Sequence, residues 1–395
     1  MAVLAIGDIG VVSGMIHIGD EAMFEAARDE LAARGLATVG VSSDPAESAA
    51  RYGVACVPRL GFVRLDREAA SRRADALLAA AAGERALPAD DPADGVLAAL
   101  DEASGVLIAG GGNLASRWPV HVFERTTLAA MARRRGLPVV VTGQTFGPDL
   151  EPADAERVAA MTRGAALTGV RESDSAALAR RWGARVHANV DDASFLGGGP
   201  AATDGPALDG PVLVSLSGWF AGRPAERVEQ GIADLLDHAA ETVGPVLFHA
   251  HFGPELAGEQ PRGDAALHER VRQRMRRTSE VVPSGDSLGA AALARRARML
   301  VTSRYHPAVF AAPAGVPILA LAADEYTHVK LGGALGHWGQ EAVVDLDALD
   351  GATTALAAVA ASAEHTRALS AERRDAHRAR AAAWWDEVAT ALAAR

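Results

Sequence analysis

The sequence predicts an α/β fold made of two Rossmann-like domains with parallel sheets and a cleft between them. Short apolar runs alternate with longer amphipathic stretches along most of the 395 residues, as strands and crossover helices do in a parallel sheet. One stretch rich in Gly and Pro, residues 196–211, interrupts this alternation and is typical of a linker. The length supports two domains, since a domain commonly holds about 100 to 200 residues.

The first half of the chain, residues 1–200, is predicted to form the N-terminal domain. Its strands are predicted at "AVLAIG", "ATVGVS", "GVLIAGG", "LPVVVTGQ", "ALTGVR" and "RVHANVD". Its clearest helices are predicted at "GDEAMFEAARDELAARG", "HVFERTTLAAMARRRG", "DAERVAAMTRG" and "SDSAALARRWG". Each of these helices stops at a glycine, the residue that most easily adopts the backbone conformation of a helix C-terminus.

The alternation resumes in residues 208–370, which are predicted to form the C-terminal domain. Its strands are predicted at "VLVSLSGWF", "PVLFHAHF", "EVVPSG", "RMLVTS", "PILALA" and "EAVVDL". Residues 371–395 are predicted to form one long helix. This helix is expected to pack on a domain, because Trp384, Val388 and Leu392 fall on one stripe. Ligands are expected at the carboxyl ends of the strands and in the cleft between the domains.

Composition and charge exclude several classes of protein. The formal net charge of -11 argues against nucleic-acid binding, which needs clustered basic residues. A single cysteine, Cys56, excludes an internal disulfide and a multi-cysteine zinc site, and it fits a cytoplasmic protein. The apolar start is interrupted by Gly7 and Asp8 and has no basic n-region, so it predicts a first strand rather than a signal peptide. No run approaches the roughly 20 apolar residues of a membrane span.

A glycine-rich turn, "GDIGVVSGMIHIGDEAMFEA", joins the first strand to a helix that is predicted to begin near Asp20. Such a turn lets a ligand approach the backbone, and the free N–H groups of a helix N-terminus bind oxygen-rich ligands. Asp20 and Glu21 are the acidic residues at this point. They fit either a ligand site or simple capping of the helix.

Two further loops follow predicted strands and carry side-chain amides. In "LIAGGGNLASRW", residues 110–114, which include Gly112 and Asn113, are expected at the carboxyl end of a strand. Asn113 is suited to bind a hydroxyl or to cap a helix. In "VVVTGQTFGP", the amide of Gln144 is suited to orient a polyol or to secure its own loop.

The stretch "RYHP" lies where the predicted strand "RMLVTS" turns into a helix, with Pro307 suited to the first helical position. Arg304 can grip a phosphate or carboxylate with two N–H groups, and His306 can donate a proton near neutral pH. Together they fit an anion that has to be protonated. The alternative is a salt-bridged arginine beside a structural histidine.

Three other polar residues in the chain are each open to two interpretations. Arg171 also lies between a predicted strand and a helix, where it can face the cleft or pair with Glu172 or Asp174. His249 and His251 in "LFHAHFGPE" have the spacing of residues on one side of a strand. They fit a metal site, for which no third ligand is evident nearby, or a pair of neutral histidines that line a sugar cleft.

These motifs occur in the same order in one known family: the sequence resembles the polysaccharide pyruvyl transferases. The matching stretches are "HIGDEAMFEA", "LIAGGGNL", "GQTFGP", "VRESDSAALARRWG" and "TSRYHPAVFAAPAGVPILALAADEYTHVKLGGALG". The resemblance implies a GT-B-like pair of Rossmann-type domains. It also implies transfer of pyruvate from phosphoenolpyruvate to hydroxyls of a sugar or glycoside, which gives a ketal. The family keeps an Arg-x-His motif near the donor, and this motif falls on Arg304 and His306.

The same residues fit the chemistry that the resemblance implies. Phosphoenolpyruvate is a small, highly charged anion, so its site needs more than one cation; Arg304 supplies one, and Arg171 resembles by position the family's further donor arginine. Protonation of the methylene carbon needs a general acid, which is expected to be His306. Asp20 or Glu21, on the acceptor side, is expected to accept the proton of the attacking hydroxyl.

The acceptor is expected to contact His17, Glu21, Gly112, Asn113, Gln144 and His251. Many relatives carry Asn at the position of His17, and other residues are usual at Tyr305 and Pro307. These departures, with the loop "HFGPELAGEQPRGD", indicate a specialised acceptor such as a small glycoside or a secondary metabolite.

The expected partners are phosphoenolpyruvate and a sugar or glycoside acceptor, with no cofactor, no metal, no nucleic acid and no membrane span. The possibility of a homo-oligomer is left open. Two other functions also stay open: a GT-B glycosyltransferase with a nucleotide-sugar donor, since one fold serves many functions, and an inactive sugar-binding homologue.

Overall fold

The computed structural model describes residues 2–198 and 210–394. Its contacts divide the chain into two compact units. The first unit comprises Met1–Val12, Met23–Asp192 and Ala379–Arg395, and the second comprises Ser13–Ala22 and Ala193–Arg378. Most of the predicted linker, residues 199–209, lies outside the described residues.

Every apolar run that predicts a strand contains one. The strands are β1 (Ala2–Ile9), β2 (Met15–His17), β3 (Ala37–Ser42), β4 (Ala55–Pro58), β5 (Ala103–Ile108), β6 (Gly111–Leu114), β7 (Val139–Phe146), β8 (Leu167–Val170), β9 (Val186–Ala188), β10 (Val212–Ser215), β11 (Val246–His249), β12 (Phe252–Pro254), β13 (Ser279–Val282), β14 (Met299–Thr302), β15 (Ile318–Ala322) and β16 (Val343–Asp345). The sequence patterns miss the short strands β2, β4, β6 and β12, which have only three or four residues each.

Helices fill the amphipathic stretches between the strands. They are α1 (Ile18–Ala33), α2 (Pro45–Tyr52), α3 (Arg67–Ala81), α4 (Asp94–Glu102), α5 (Pro119–Arg134), α6 (Pro152–Gly164), α7 (Ser173–Arg181), α8 (Ala225–Thr242), α9 (Asp264–Arg274), α10 (Ser287–Arg296), α11 (Tyr305–Ala311), α12 (Glu325–Gly336), α13 (Ala352–Ala361) and α14 (Ala363–Ala393). Short 3-10 turns cover Asp192–Phe195, Ala312–Ala314 and Leu346–Gly351. None of the helices described is both long enough and apolar enough to cross a membrane.

The first unit is built on one parallel sheet. Its strand order is β4-β3-β1-β5-β7-β8-β9, and β6 pairs with β7. The central strands β5 and β7 are buried along their whole length, which is why each contains an uninterrupted apolar run, "VLI" in β5 and "VVV" in β7, rather than an alternating pattern. On α14, Trp384, Val388 and Leu392 are buried in one cluster with residues of β1 such as Val3.

The second unit is built on another parallel sheet, with the strand order β13-β11-β10-β14-β15-β16. In chain order this is 3-2-1-4-5-6, the order of the Rossmann fold, and the order reverses between β10 and β14. A separate antiparallel pair joins β2 to β12, with His17 opposite Phe252. The two sheets confirm the predicted α/β fold class with parallel sheets.

One local prediction about the "RYHP" stretch is wrong. The helix α11 begins at Tyr305, so Pro307 is its third residue rather than its first, and Arg304 is the residue that precedes the helix. Pro307 is nevertheless compatible with this position, because the N–H groups of the first helical turn have no partner within the helix.

Candidate active site

The turn after β14 lies at the reversal point of the second sheet. Ligands of doubly wound sheets bind at such a point, outside the carboxyl ends of the strands. Thr302, the last residue of β14, accepts a hydrogen bond at Oγ1 from the backbone N–H of Arg304, at 2.9 Å. The N–H of Ser303 donates to the carbonyl of Ser215 on β10, at 3.1 Å. These bonds fix the turn that carries Arg304 and His306.

Arg304 is held by a carboxylate on α9. Its Nε donates to Oδ2 of Asp264 at 2.8 Å, and its Nη2 donates to Oδ1 of the same residue. Asp264 is almost fully buried and also accepts the N–H of Phe252 at 2.9 Å. Burial raises the pKa of Asp264, while the positive charge of Arg304 opposes that shift.

This pairing leaves one part of the guanidinium available. Nη1 of Arg304 makes no hydrogen bond within the residues described, and the side chain is 24% exposed. A planar guanidinium that is fixed along one edge presents its remaining N–H groups in a defined direction. The arrangement therefore suits recognition of an anionic ligand.

His306 is packed against the start of α1. A Cβ at position 19 would overlap the imidazole of His306, so only the glycine at this position leaves room for the ring. The ring also lies edge-on to Tyr305, with 5.2 Å between ring centroids, and 6.1 Å from the ring of Phe310. The "HIGDE" and "RYHP" motifs are therefore in direct contact within the second unit.

The same end of α1 carries an imidazole–carboxylate pair. Nδ1 of His17 contacts Oδ2 of Asp20; the side chain of His17 is 44% exposed and that of Asp20 is 12% exposed. The N–H of Ile18 donates to the carbonyl of His251 at 3.0 Å, which fixes the start of the helix. Asp20 and Glu21 both lie in the first turn of α1, and Glu21 is buried.

The second unit also contains three buried histidines, His249, His251 and His268. Burial lowers the pKa of His251 well below its ordinary value, and the neighbouring His249, His306, Arg304 and His17 lower it further. Neither ring nitrogen of His251 has a hydrogen-bond partner among the residues described.

The other two buried histidines are fixed by backbone hydrogen bonds. Nε2 of His249 lies 3.0 Å from the carbonyl of Ser284, and burial lowers the pKa of His249. His268 accepts the N–H of Leu216 at Nε2, and burial lowers the pKa of His268 to about 3. Both imidazoles are thus neutral near pH 7. No group of three or more His, Cys, Asp or Glu side chains in residues 2–198 and 210–394 is arranged to hold a metal ion.

The predicted amide contacts belong to the first unit. Gln144 is buried in β7, and its Nε2 donates to the carbonyl of Ala109 at 2.6 Å, so the amide secures the neighbouring strand end. Asn113 lies with Gly112 in β6 and is 9% exposed; it does not cap a helix, because α5 is preceded by Trp118. The acceptor contacts predicted for these residues stay predictions.

Arg171 follows β8 in the first unit. Its Nη1 donates to Oδ2 of Asp191 at 2.8 Å, and its Nε donates to Oγ1 of Thr145 at 2.9 Å. The pair is enclosed, because the exposed fraction is 0% for the side chain of Arg171 and 2% for that of Asp191. Glu172 instead caps α7. The donor contact predicted for Arg171 stays a prediction, and the geometry favours a structural pair.

Three further residues beside the second-unit site are not among the predicted site residues. Asp264 ends the loop "HFGPELAGEQPRGD", far along the chain from Arg304. Gly19 matters only because His306 is packed against it. Lys330 on α12 lies over the ring of Tyr305, at 5.1 Å from the ring centroid. Lys330 is the one lysine of the chain.

A family model described as polysaccharide pyruvyl transferase matches residues 17–325. This range contains His17, Asp20, Asp264, Arg304 and His306. No curated protein sequence matches the chain at a significant level.

Solved structures resemble the chain over most of its length. They include the calicheamicin glycosyltransferase, with a TM-score of 0.53 and 17% identity over 100% of this chain and 99% of that one. A UDP-GlcNAc 2-epimerase from Neisseria meningitidis, bound to UDP-GlcNAc, has a TM-score of 0.58 and 9% identity over 94% of both chains. A glycosyltransferase from Rickettsia africae has a TM-score of 0.57 and 9% identity over 100% of this chain and 99% of that one. At such identities the likeness shows the fold alone, which is GT-B-like.

Proposed function

Because the chain belongs to the polysaccharide pyruvyl transferase family, we propose that it transfers pyruvate from phosphoenolpyruvate to hydroxyls of a sugar or glycoside and forms a ketal. One observation carries the donor assignment: Arg304, oriented by Asp264, and His306, packed on Gly19, lie on one turn at the reversal point of the second sheet. This placement supports Arg304 as the anion-binding group and His306 as the proton donor of the proposed reaction.

Arg304 binds the donor through the N–H groups of Nη1. Its other edge is engaged by Asp264, so the guanidinium is oriented before the ligand arrives and loses little conformational freedom on binding. The guanidinium also remains accessible to a ligand, because the side chain of Arg304 is 24% exposed.

His306 acts as the general acid in the first step. It donates a proton to the methylene carbon of phosphoenolpyruvate, which becomes a methyl group while C2 becomes cationic. A sugar hydroxyl attacks C2 and loses its proton. The bond between C2 and the phosphate oxygen then breaks, and a second hydroxyl attacks C2 to complete the ketal. The two sugar hydroxyls lose one proton each. One of these protons replaces the proton that His306 gave to the methyl group, and the other ends on the released phosphate.

The His17–Asp20 pair accepts the proton of the attacking hydroxyl. Nδ1 of His17 contacts Oδ2 of Asp20, and the side chain of His17 is 44% exposed. A carboxylate on one imidazole nitrogen orients the ring and stabilises the cation that forms when the other nitrogen takes a proton. Asp20, the predicted base, thereby acts through His17 in this proposal.

The acceptor is a polyol whose identity is open to experiment. Glu21 and His251 belong to the second unit with the donor residues, whereas Gly112, Asn113 and Gln144 belong to the first. Acceptor contacts are proposed for all of them, as well as for His17. His251 is buried and its ring lies 5.9 Å from that of Phe310, which also lies against His306, so this position supports a packing role as much as a direct contact.

The test is a turnover assay in D2O with phosphoenolpyruvate and a panel of methyl glycosides, read by phosphate release and by the NMR signal of the ketal methyl group. Wild-type protein is expected to release phosphate in step with a methyl group that carries one deuterium. UDP-glucose and GDP-mannose serve as competing donors. Turnover of a nucleotide sugar without phosphoenolpyruvate would instead favour a glycosyltransferase, and turnover of neither donor would favour an inactive homologue.

The variant His306→Ala sharpens this assay. Turnover is expected to fall by about 10²- to 10⁴-fold, because a general acid contributes that much, while the affinity for phosphoenolpyruvate changes little. The control is His365→Ala, which removes an exposed histidine on α14. Unchanged turnover in His306→Ala would refute the role of His306 as the acid.

A further inference from the structure

Lys330 is a cation beside the proposed donor site, and it has no acidic partner in residues 2–198 and 210–394. Its ammonium donates to the hydroxyl of Tyr326 at 3.1 Å and lies over the ring of Tyr326, at 4.7 Å from the centroid. It also lies over the ring of Tyr305, at 5.1 Å from the centroid. In the described ranges no carboxylate forms an ion pair with Lys330, although the chain has 50 acidic residues.

The position of Lys330 is tied to the donor motif by Tyr305. This tyrosine lies between Arg304 and His306 in sequence, and its ring is 5.2 Å from that of His306. His306 and Lys330 therefore contact the same aromatic ring. Tyr305 is buried and Lys330 is half-buried, so the ammonium is held against fixed groups rather than extended into solvent.

The chemistry of this ammonium suits a phosphate. A lysine is a compact charge with three donors. One of the N–H groups is engaged by Tyr326, which leaves two for a ligand. Two aromatic faces stabilise the cation but accept no strong hydrogen bond from it. An anion with several oxygen atoms is the ligand that would complete these interactions.

We propose that Lys330 binds the phosphate group of phosphoenolpyruvate, an inference that rests on the proposed function. Arg304 shares its charge with Asp264 and offers only Nη1, so it does not neutralise both the carboxylate and the phosphate of the donor. Lys330 supplies the second cation from the same unit. This is the role that the family resemblance implies for Arg171.

The test measures calorimetric binding of inorganic phosphate and of pyruvate, together with the kcat and KM for phosphoenolpyruvate. In Lys330→Met, the affinity for phosphate is expected to fall at least about tenfold and the KM to rise similarly, because a hydrogen bond to a charged group is lost. The affinity for pyruvate is expected to stay unchanged. Lys330→Arg, which keeps the charge, is expected to restore most of the phosphate affinity. The control Arg296→Met removes an exposed charge on α10 and is expected to change none of these values.

The possible outcomes distinguish a failure of the inference on Lys330 from a failure of the proposed function. If wild-type protein turns over phosphoenolpyruvate and Lys330→Met binds phosphate normally, the inference on Lys330 is overturned while the function stands. Loss of pyruvate affinity in place of phosphate affinity also overturns it, as does the absence of phosphate binding by the wild type. Failure of the wild type to bind or turn over phosphoenolpyruvate overturns the proposed function itself.

Discussion

Two arginines in this molecule follow a strand, precede a helix and pair with an aspartate, yet their surroundings differ. Arg171 and Asp191 are enclosed, with exposed fractions of 0% and 2%. Arg304 is 24% exposed, although its partner Asp264 is as buried as Asp191. Arg304 also follows a strand at the reversal point of its sheet, whereas Arg171 follows β8, which is two strands from β5. Burial and topology, rather than local sequence, separate a structural pair from an available cation.

The largest expected effect is on the stability of the first unit. Arg171→Met should lower the free energy of unfolding by about 3–5 kcal/mol, because it leaves Asp191 buried without its counter-charge. Chemical denaturation followed by circular dichroism measures this change. Arg304→Met is the comparison variant and should lose less stability, because water reaches that side chain.

The opposite pattern would contradict the structural role of Arg171. If Arg171→Met were as stable as the wild type and bound phosphoenolpyruvate more weakly, Arg171 would be a donor contact, as its position in the family motif implies. The structural account of the enclosed pair would then be wrong.

A smaller effect is expected when the carboxylate that orients Arg304 is neutralised. Asp264→Asn keeps the shape of the side chain but weakens its hold on the guanidinium, so the KM for phosphoenolpyruvate should rise by roughly tenfold or less, with a smaller change in kcat. Asp237→Asn is the matched control, since Asp237 is another buried aspartate of the second unit and pairs with Arg276. Equal changes in KM for both variants would reduce Asp264 to a structural residue.

The sequence predicts the fold well because its strands are buried on both faces. Parallel strands such as β5 and β7 each contain a short uninterrupted apolar run, and the glycines after α1, α5 and α7 mark the helix ends. The short strands β2 and β6 are not predicted by such apolar runs. They are defined by their pairing with β12 and β7, not by their own residues.

The sequence predicts individual residues of the candidate site but not the contacts between them. The motifs indicate Arg304, His306, His17 and Asp20, because strand-to-helix turns carry such residues toward ligands. What the sequence does not contain is the contact of His306 with Gly19, since the two residues are separated by most of the chain. Nor does it distinguish the environments of Arg171 and Arg304.

The most direct test of the account is calorimetric titration of phosphoenolpyruvate into the wild-type protein and into Arg304→Met, with UDP-glucose and GDP-mannose as alternative ligands. Wild-type protein is expected to bind phosphoenolpyruvate and neither nucleotide sugar, and Arg304→Met is expected to lose at least about tenfold in affinity, since a charge-assisted contact is removed. Wild-type affinity in Arg304→Met, or binding of a nucleotide sugar in place of phosphoenolpyruvate, would contradict this expectation.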